Sequence, residues 1–265
     1  MALLGNLTGS SHLNFQDRTG FYNGVATQSL RFDDGSSAYL TRTPSSASNR
    51  RTWTWSGWAK RATITTAEFP LLAANTDANN RLFFRFEGNL IILYYNVSGT
   101  ANEVTTVALY RDTSAWYHVV LAVDTTQGTD TNRIKIYVNG VQQTLTGTYI
   151  AENTDTQINL DVAQLIGKKD TATTFYDGYL SEVNFIDGLA LTPTSFGEFK
   201  NGVWIPIDTS GLTFGTNGYR LKFDQVGVGT ASTSTIGADT SGEDNHWTSS
   251  GIVASDCAMP DSPEN

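Results

Sequence analysis

Arg133-Ile134-Lys135-Ile136-Tyr137-Val138-Asn139-Gly140 alternates its side chains at a period of two, the spacing of a β-strand with one buried face. The alternation points Ile134, Ile136 and Val138 inward and Arg133, Lys135 and Tyr137 outward. Asn139-Gly140 closes the run with the strongest short hairpin signal in the chain, because both residues tolerate positive φ. Trp53–Lys60, Ala115–Asp124 and Gly178–Phe185 carry the same period. In the first of them Trp53, Trp55 and Gly57 share one face, and Trp58 and Lys60 share the other. Leu82–Glu87 and Leu90–Tyr95 read as a hairpin turning at Gly88-Asn89.

Composition agrees with many short strands in one sandwich. The 265 residues are long enough to bury a sizeable core. Only 16% are charged and 24 are Gly, which suits strands joined by tight turns better than helices. A net charge of −9 with no basic cluster excludes phosphate-backbone binding, so nucleic acid is not an expected partner. A single cysteine, Cys257, cannot form an intramolecular disulfide, and nothing near it in sequence would activate it as a nucleophile. Met1-Ala2-Leu3-Leu4-Gly5-Asn6 lacks the basic n-region and long apolar run of a signal peptide. No apolar stretch approaches the length of a membrane span. Synthesis and folding in a cytoplasm are the expectation.

Along the chain, residues 1–27 read as a polar N-terminal arm that docks to the domain or to a neighbouring subunit. Residues 28–226 read as the sheet-forming domain, with Gly211–Phe214 and Tyr219–Phe223 as closing strands. Residues 227–265 are Gly/Ser/Thr/Asp-rich and read as a loop-rich or partly disordered extension. Thr192-Pro193 opens the one helical turn, with Thr192 as N-cap.

The order and spacing of the four alternating segments resemble a laminin-G-like, concanavalin-A-like jelly roll over roughly residues 28–200. The resemblance rests on the strand Trp116–Asp124, on Tyr137-Val138-Asn139-Gly140, on Gly178-Tyr179-Leu180-Ser181-Glu182-Val183 and on Leu191-Thr192 with Phe196. It implies an all-β fold, a two-sheet antiparallel jelly-roll sandwich, used mostly for holding and recognising. A second resemblance lies in Asn184–Gly188, Phe196–Phe199, Gly202–Pro206, Gly215–Tyr219, Asp239–Gly242 and Asn245–Trp247. This set is similar to one found in virion proteins of tailed phages, in tail, fibre or head-decorating roles. It implies a non-enzymatic virion protein made in the host cytoplasm. Its partners would be other capsid or tail proteins and host surface polysaccharide, and it would be a homo-oligomer, with a trimer suggested by analogy.

Three kinds of site follow. A hydrolase of this superfamily needs two carboxylates across a sugar bond, but Glu182 shares its strand face with Asn184, and Asp187 has the opposite parity. The expectation is therefore no catalytic residues and a structural Glu182, with a carbohydrate-binding or glycan-cleaving module of a depolymerase as the alternative. The first resemblance implies calcium at the sandwich rim, for which Asp124, Asp177 and Asp187 are the candidate ligands, with Asp155 and Asp161 in a nearby loop. Hard cations want six to eight oxygens, and no contiguous acidic loop supplies them. A carbohydrate-binding platform would use exposed rings. Trp58, Tyr94, Tyr95, Tyr110 and Tyr176 are the candidates, whereas Trp53, Trp55 and Trp116 read as core. His118, alone in mid-strand, reads as a satisfied core or edge residue.

Overall fold

The computed structural model describes residues 21–170 and 173–264. Residues 1–20 of the expected arm lie outside the described residues. The strands, in chain order, are β1 (Leu30–Phe32), β2 (Tyr39–Arg42), β3 (Thr52–Arg61), β4 (Glu68–Asp77), β5 (Asn80–Glu87) and β6 (Leu90–Val97). They continue as β7 (Thr100–Thr106), β8 (Tyr117–Asp124), β9 (Ile134–Val138), β10 (Val141–Gln142), β11 (Leu145–Gly147) and β12 (Gln164–Ile166). The last are β13 (Gly178–Asp187), β14 (Gly197–Lys200), β15 (Val203–Pro206), β16 (Tyr219–Leu221) and β17 (Thr248–Ser250).

Two antiparallel sheets face each other. One is seven-stranded, in the order β1-β13-β3-β8-β9-β10, with β16 also paired to β13. The other is eight-stranded, in the order β11-β7-β6-β5-β4-β12-β2-β17. Their inner faces supply the main core, including Trp53, Trp55, Phe84, Phe86, Leu121, Ile134, Ile136, Val183 and Phe185. This is the jelly-roll sandwich that the resemblance implied, and it buries the apolar face of each alternating strand because a second sheet covers it.

A bulge interrupts the central pairing. Ser181 faces Trp58 and Asn184 faces Ser56, so Glu182 and Val183 together oppose the single residue Gly57. Glu182 takes φ 45° to do so, a conformation that costs a non-glycine residue energy. Gly57 is required opposite it, since a Cβ there would lie 2.7 Å from the Trp55 ring.

Two expectations for the C-terminal part change. Gly211–Phe214 forms no strand: the Asp208 carboxylate captures the Ser210 amide and hydroxyl at 3.0 and 2.7 Å and turns the chain. Phe214 is nevertheless buried on the outer face of the seven-stranded sheet. Residues after 227 have little regular structure but are packed. Trp247 is fully buried, and β17 pairs with β2 at the edge of the larger sheet. Asp239 organises this segment by accepting from the backbone amides of Arg220, Ser241 and Asn245 at 2.8–2.9 Å. Among the described residues, no helix is long and apolar enough to cross a membrane.

Candidate functional site

The outer face of the seven-stranded sheet is covered by the chain that follows β13, and a cleft opens at the margin of that cover. β14 and β15 form a hairpin turning at Asn201 and Gly202, both at positive φ (51° and 82°), the geometry of a tight two-residue loop. Trp204 anchors the hairpin to the sheet. Its ring stacks on His118 with centroids 5.9 Å apart, and its indole N–H donates to His118 Nδ1 at 2.9 Å. Gly140 receives the ring, since a Cβ there would sit 2.5 Å from it. The glycine of the Asn139-Gly140 turn thus meets two demands, a φ of 80° and the close approach of Trp204.

His118 is fully buried, and burial pushes its pKa down to about 3. Because an indole can only donate, Nδ1 is the acceptor and Nε2 carries the proton, which is given to Ser56 Oγ at 2.9 Å. That direction is opposite to what nucleophile activation needs, where the imidazole would accept the hydroxyl proton. The pair is a neutral, satisfied structural bridge.

The cleft, about 340 Å³, is lined by Tyr22, Trp58, Trp116, Asn139, Phe199, Val203 and Trp204, with Gly202 and Pro263 at its edge. Phe199 is 57% exposed, and its ring meets Trp204 edge-on at 4.9 Å. Trp116 donates its indole N–H to Asp261 Oδ1 at 3.1 Å, while Asp261 Oδ2 pairs with Lys60 at 2.7 Å. Tyr22 is placed by two ties on its neighbours. Asn23 donates to the Pro206 carbonyl at 2.6 Å, and the Glu264 carboxylate accepts from the amides of Gly24, Val25 and Ala26 at 2.9–3.3 Å. Both ends of the described chain therefore meet beside the cleft.

The candidate aromatic residues separate sharply. Trp58, expected to be exposed, is 5% exposed and so buried, although it lines the cleft. Tyr94 lies on the outer face of the eight-stranded sheet, where it stacks on Phe83 at 5.6 Å and carries the Arg81 and Arg85 guanidinium groups near its ring. Tyr95, Tyr110 and Tyr176 are not exposed. Tyr95 faces the core and bonds the Thr148 carbonyl. Tyr110 is folded under, with its hydroxyl on Gln143 at 3.0 Å. Tyr176 is fully buried against Phe32 and bonds the Lys60 carbonyl at 2.9 Å. Trp116, read as core, is half-buried on the cleft wall, because it precedes β8 and the inner sheet does not reach it. Phe199 and Tyr22 were not among the sequence candidates. The Asn201-Gly202 hairpin signal between Phe199 and Trp204 was the pattern that could have indicated the wall.

The calcium candidates do not converge. Asp124 and Asp187 lie at one end of the seven-stranded sheet, beside Thr52 and Trp53 in register. Asp177 precedes β13 at the other end, about 30 Å away along the strand. The Asp124 oxygens accept from the Thr126 amide and hydroxyl and from Gln127. Those of Asp187 accept from the Asn49 and Asn217 amides and the Asn159 side chain. Burial and the nearby charges of Asp34 and Asp33 hold the Asp177 pKa above the usual carboxylate range. Asp155 pairs with Arg51. Among the described residues no group of three or more His, Cys, Asp or Glu is placed to hold a metal ion, so this donor set does not fit calcium.

Glu182 is 4% exposed at the bulge. One carboxylate oxygen accepts from Arg220 Nε at 3.1 Å and the other has no partner. Burial outweighs Arg220 and raises its pKa to about 7. Arg220 continues to Asp208 at 3.0 Å, so the side chain ties the bulge to the covering segment.

Comparison with known proteins agrees with this architecture. The family model described as the concanavalin A-like lectin/glucanases superfamily matches residues 34–195. No match is found among curated proteins. Among solved structures, a Bacteroides ovatus protein described as carbohydrate binding is similar, with a TM-score of 0.57 and 16% identity over 86% of this chain. The chain spans 59% of that protein. Domains LG4-5 of mouse laminin α1 align with a TM-score of 0.45 and 10% identity, over 63% of this chain and 42% of theirs. The enzymatically active domain of bacteriophage CBA120 tailspike protein 2 aligns with a TM-score of 0.43 and 10% identity, over 66% of this chain and 30% of its own. With the family model covering more than half of its length, this chain belongs to the concanavalin A-like lectin/glucanases superfamily.

Proposed function

We propose that this chain is a non-enzymatic structural protein of a tailed-phage particle, displaying a lectin-like jelly roll that contacts host-surface glycan. The observation that carries the reading is the cleft of five aromatic residues at the seam between the superfamily domain and its C-terminal cover. Its volume is in the range of small-ligand sites, and its make-up of rings with a few polar groups is the usual one for such sites. The virion context is supported by the resemblance of residues 184–247 to tailed-phage structural proteins. In a particle, many copies would act together, so individually weak sugar contacts would add by avidity. Other capsid or tail proteins are the implied partners, in a homo-oligomer such as a trimer.

The non-enzymatic part is supported by the direction of the Ser56–His118 hydrogen bond and by the burial of Glu182, which does not line the cleft. Mass spectrometry and cryo-electron microscopy of purified particles test the context. Density for the jelly roll on the head lattice or at the tail supports it, and absence of the protein from particles refutes it. Incubation with purified host surface polysaccharide tests the rest. Binding without release of reducing ends is expected, and release of reducing ends would establish the depolymerase alternative.

A further inference from the structure

The wall contributed by Phe199, Gly202 and Val203 comes from the β14–β15 hairpin, beyond residues 34–195 that match the superfamily. The cleft is thus completed by the segment that follows the matched domain, against Trp58, Trp116 and Asn139 within it, and its lining shows what it would hold. Three tryptophans line it. The Trp204 indole N–H is spent on His118 and that of Trp116 on Asp261. Trp58 is 95% buried, and its indole N–H has no hydrogen-bond partner among the described residues. It is not one of the unpartnered groups sealed from solvent, and Trp58 lines the cleft. Asn139 also lines the cleft; its Oδ1 accepts from the His118 amide at 2.8 Å, which leaves its NH₂ group as the remaining donor of that side chain.

Among the described residues, no charged side chain lines the cleft. Near it, Lys60 and Asp261 are paired at 2.7 Å, the second Asp261 oxygen is held by Trp116, and Lys200, next to Phe199 in β14, lies over the Phe21 ring at 5.7 Å. A carboxylate brought here would lose its water without gaining a cation from the described lining, in a protein of net charge −9. A hydroxyl oxygen would instead receive the Trp58 N–H, restoring a hydrogen bond that a largely buried donor otherwise lacks.

Resting on the glycan reading above, we infer that the cleft binds a neutral pyranose sugar. The ring stacks on Phe199 and a hydroxyl is read by the Trp58 N–H and the Asn139 amide, so sugars bearing carboxylates are refused.

The test is titration of the full chain with neutral oligosaccharides of hexose and N-acetylhexosamine, and with uronic-acid and sialic-acid oligosaccharides, at low and high salt. Binding of neutral members, insensitive to salt, is expected. Phe199→Ala, at an exposed position that folding tolerates, is expected to weaken it about tenfold. Trp58→Phe, which keeps a ring and removes the donor, is expected to weaken it by up to about tenfold. Tyr94→Ala, on the other sheet, is expected to leave it unchanged. Binding of acidic sugars alone, lost in high salt, would overturn the neutral specificity while leaving the glycan reading intact. Neutral binding that survives Phe199→Ala but falls with Tyr94→Ala would overturn the site. No binding to any sugar would overturn both readings.

Discussion

Glu182 makes the stability of this fold depend on pH in a direction unusual for a carboxylate. The side chain is 4% exposed, one oxygen is unpartnered, and its pKa is raised to about 7 from an ordinary value of 4.5. Between those values the folded chain holds a proton that the unfolded chain has released. Its contribution is therefore fully present below pH 4.5 and is lost as pH rises through 7. At about 1.4 kcal/mol per unit, raising the pH from 5 to 8 removes about 2 to 3 kcal/mol. Glu182→Gln keeps the shape and cannot titrate. It also weakens the tie to Arg220, which retains Asp208, so the quantity to read is the difference between variant and wild type at each pH. Urea unfolding of both proteins at pH 5 and pH 8 measures it. The variant is expected to gain about 2 to 3 kcal/mol on the wild type over that interval. Parallel stability curves would refute the claim that burial, rather than Arg220, governs this carboxyl. The comparison is needed because His118 pulls the other way: its pKa is lowered to about 3 from 6.5, so its contribution is lost as pH falls below 6.5.

Other consequences are equally direct. Gly140→Ala forces a Cβ to within 2.5 Å of the Trp204 ring at φ 80°, and a loss of about 2 to 4 kcal/mol is expected from strain and overpacking together. Urea unfolding within about 0.5 kcal/mol of wild type would contradict the anchoring role of Trp204. Cys257 is buried with its thiol pushed up to about 11, so iodoacetamide at pH 8 is expected to label the native chain far more slowly than the urea-unfolded one. Equal rates would show that the C-terminal segment opens freely. Calcium added to chelator-treated protein is expected to leave the melting temperature unchanged, since the oxygens of Asp124 and Asp187 are already taken by amides and hydroxyls. A saturable rise would reveal a rim site.

Alternation was enough to locate strands such as β3, β8, β9 and β13 and the Asn139-Gly140 turn, while the two-sheet sandwich followed from the family resemblance of their order and spacing. Ile134, Ile136 and Val138, or Trp53 and Trp55, share a face because side-chain direction in a strand is a local property with a period of two. What covers the opposite face is not local. Trp58 and Tyr137 point outward as their parity requires, yet both are buried, because a hairpin and loop from residues 189–214 fold back over them. The contact that fixes this cover, Trp204 to His118, joins residues 86 positions apart. Tyr110 and Tyr176 went the same way, since a ring in a loop is exposed or buried according to how that loop folds back, which no neighbouring residue reports. The three rim aspartates looked equivalent in sequence, but only strand direction placed Asp177 at the far end from Asp124 and Asp187. Tertiary structure alone decided the cleft as well, because its walls come from Tyr22, β3, the approach to β8, and the hairpin. Contact between segments that far apart is set by packing, not by any pattern within one of them.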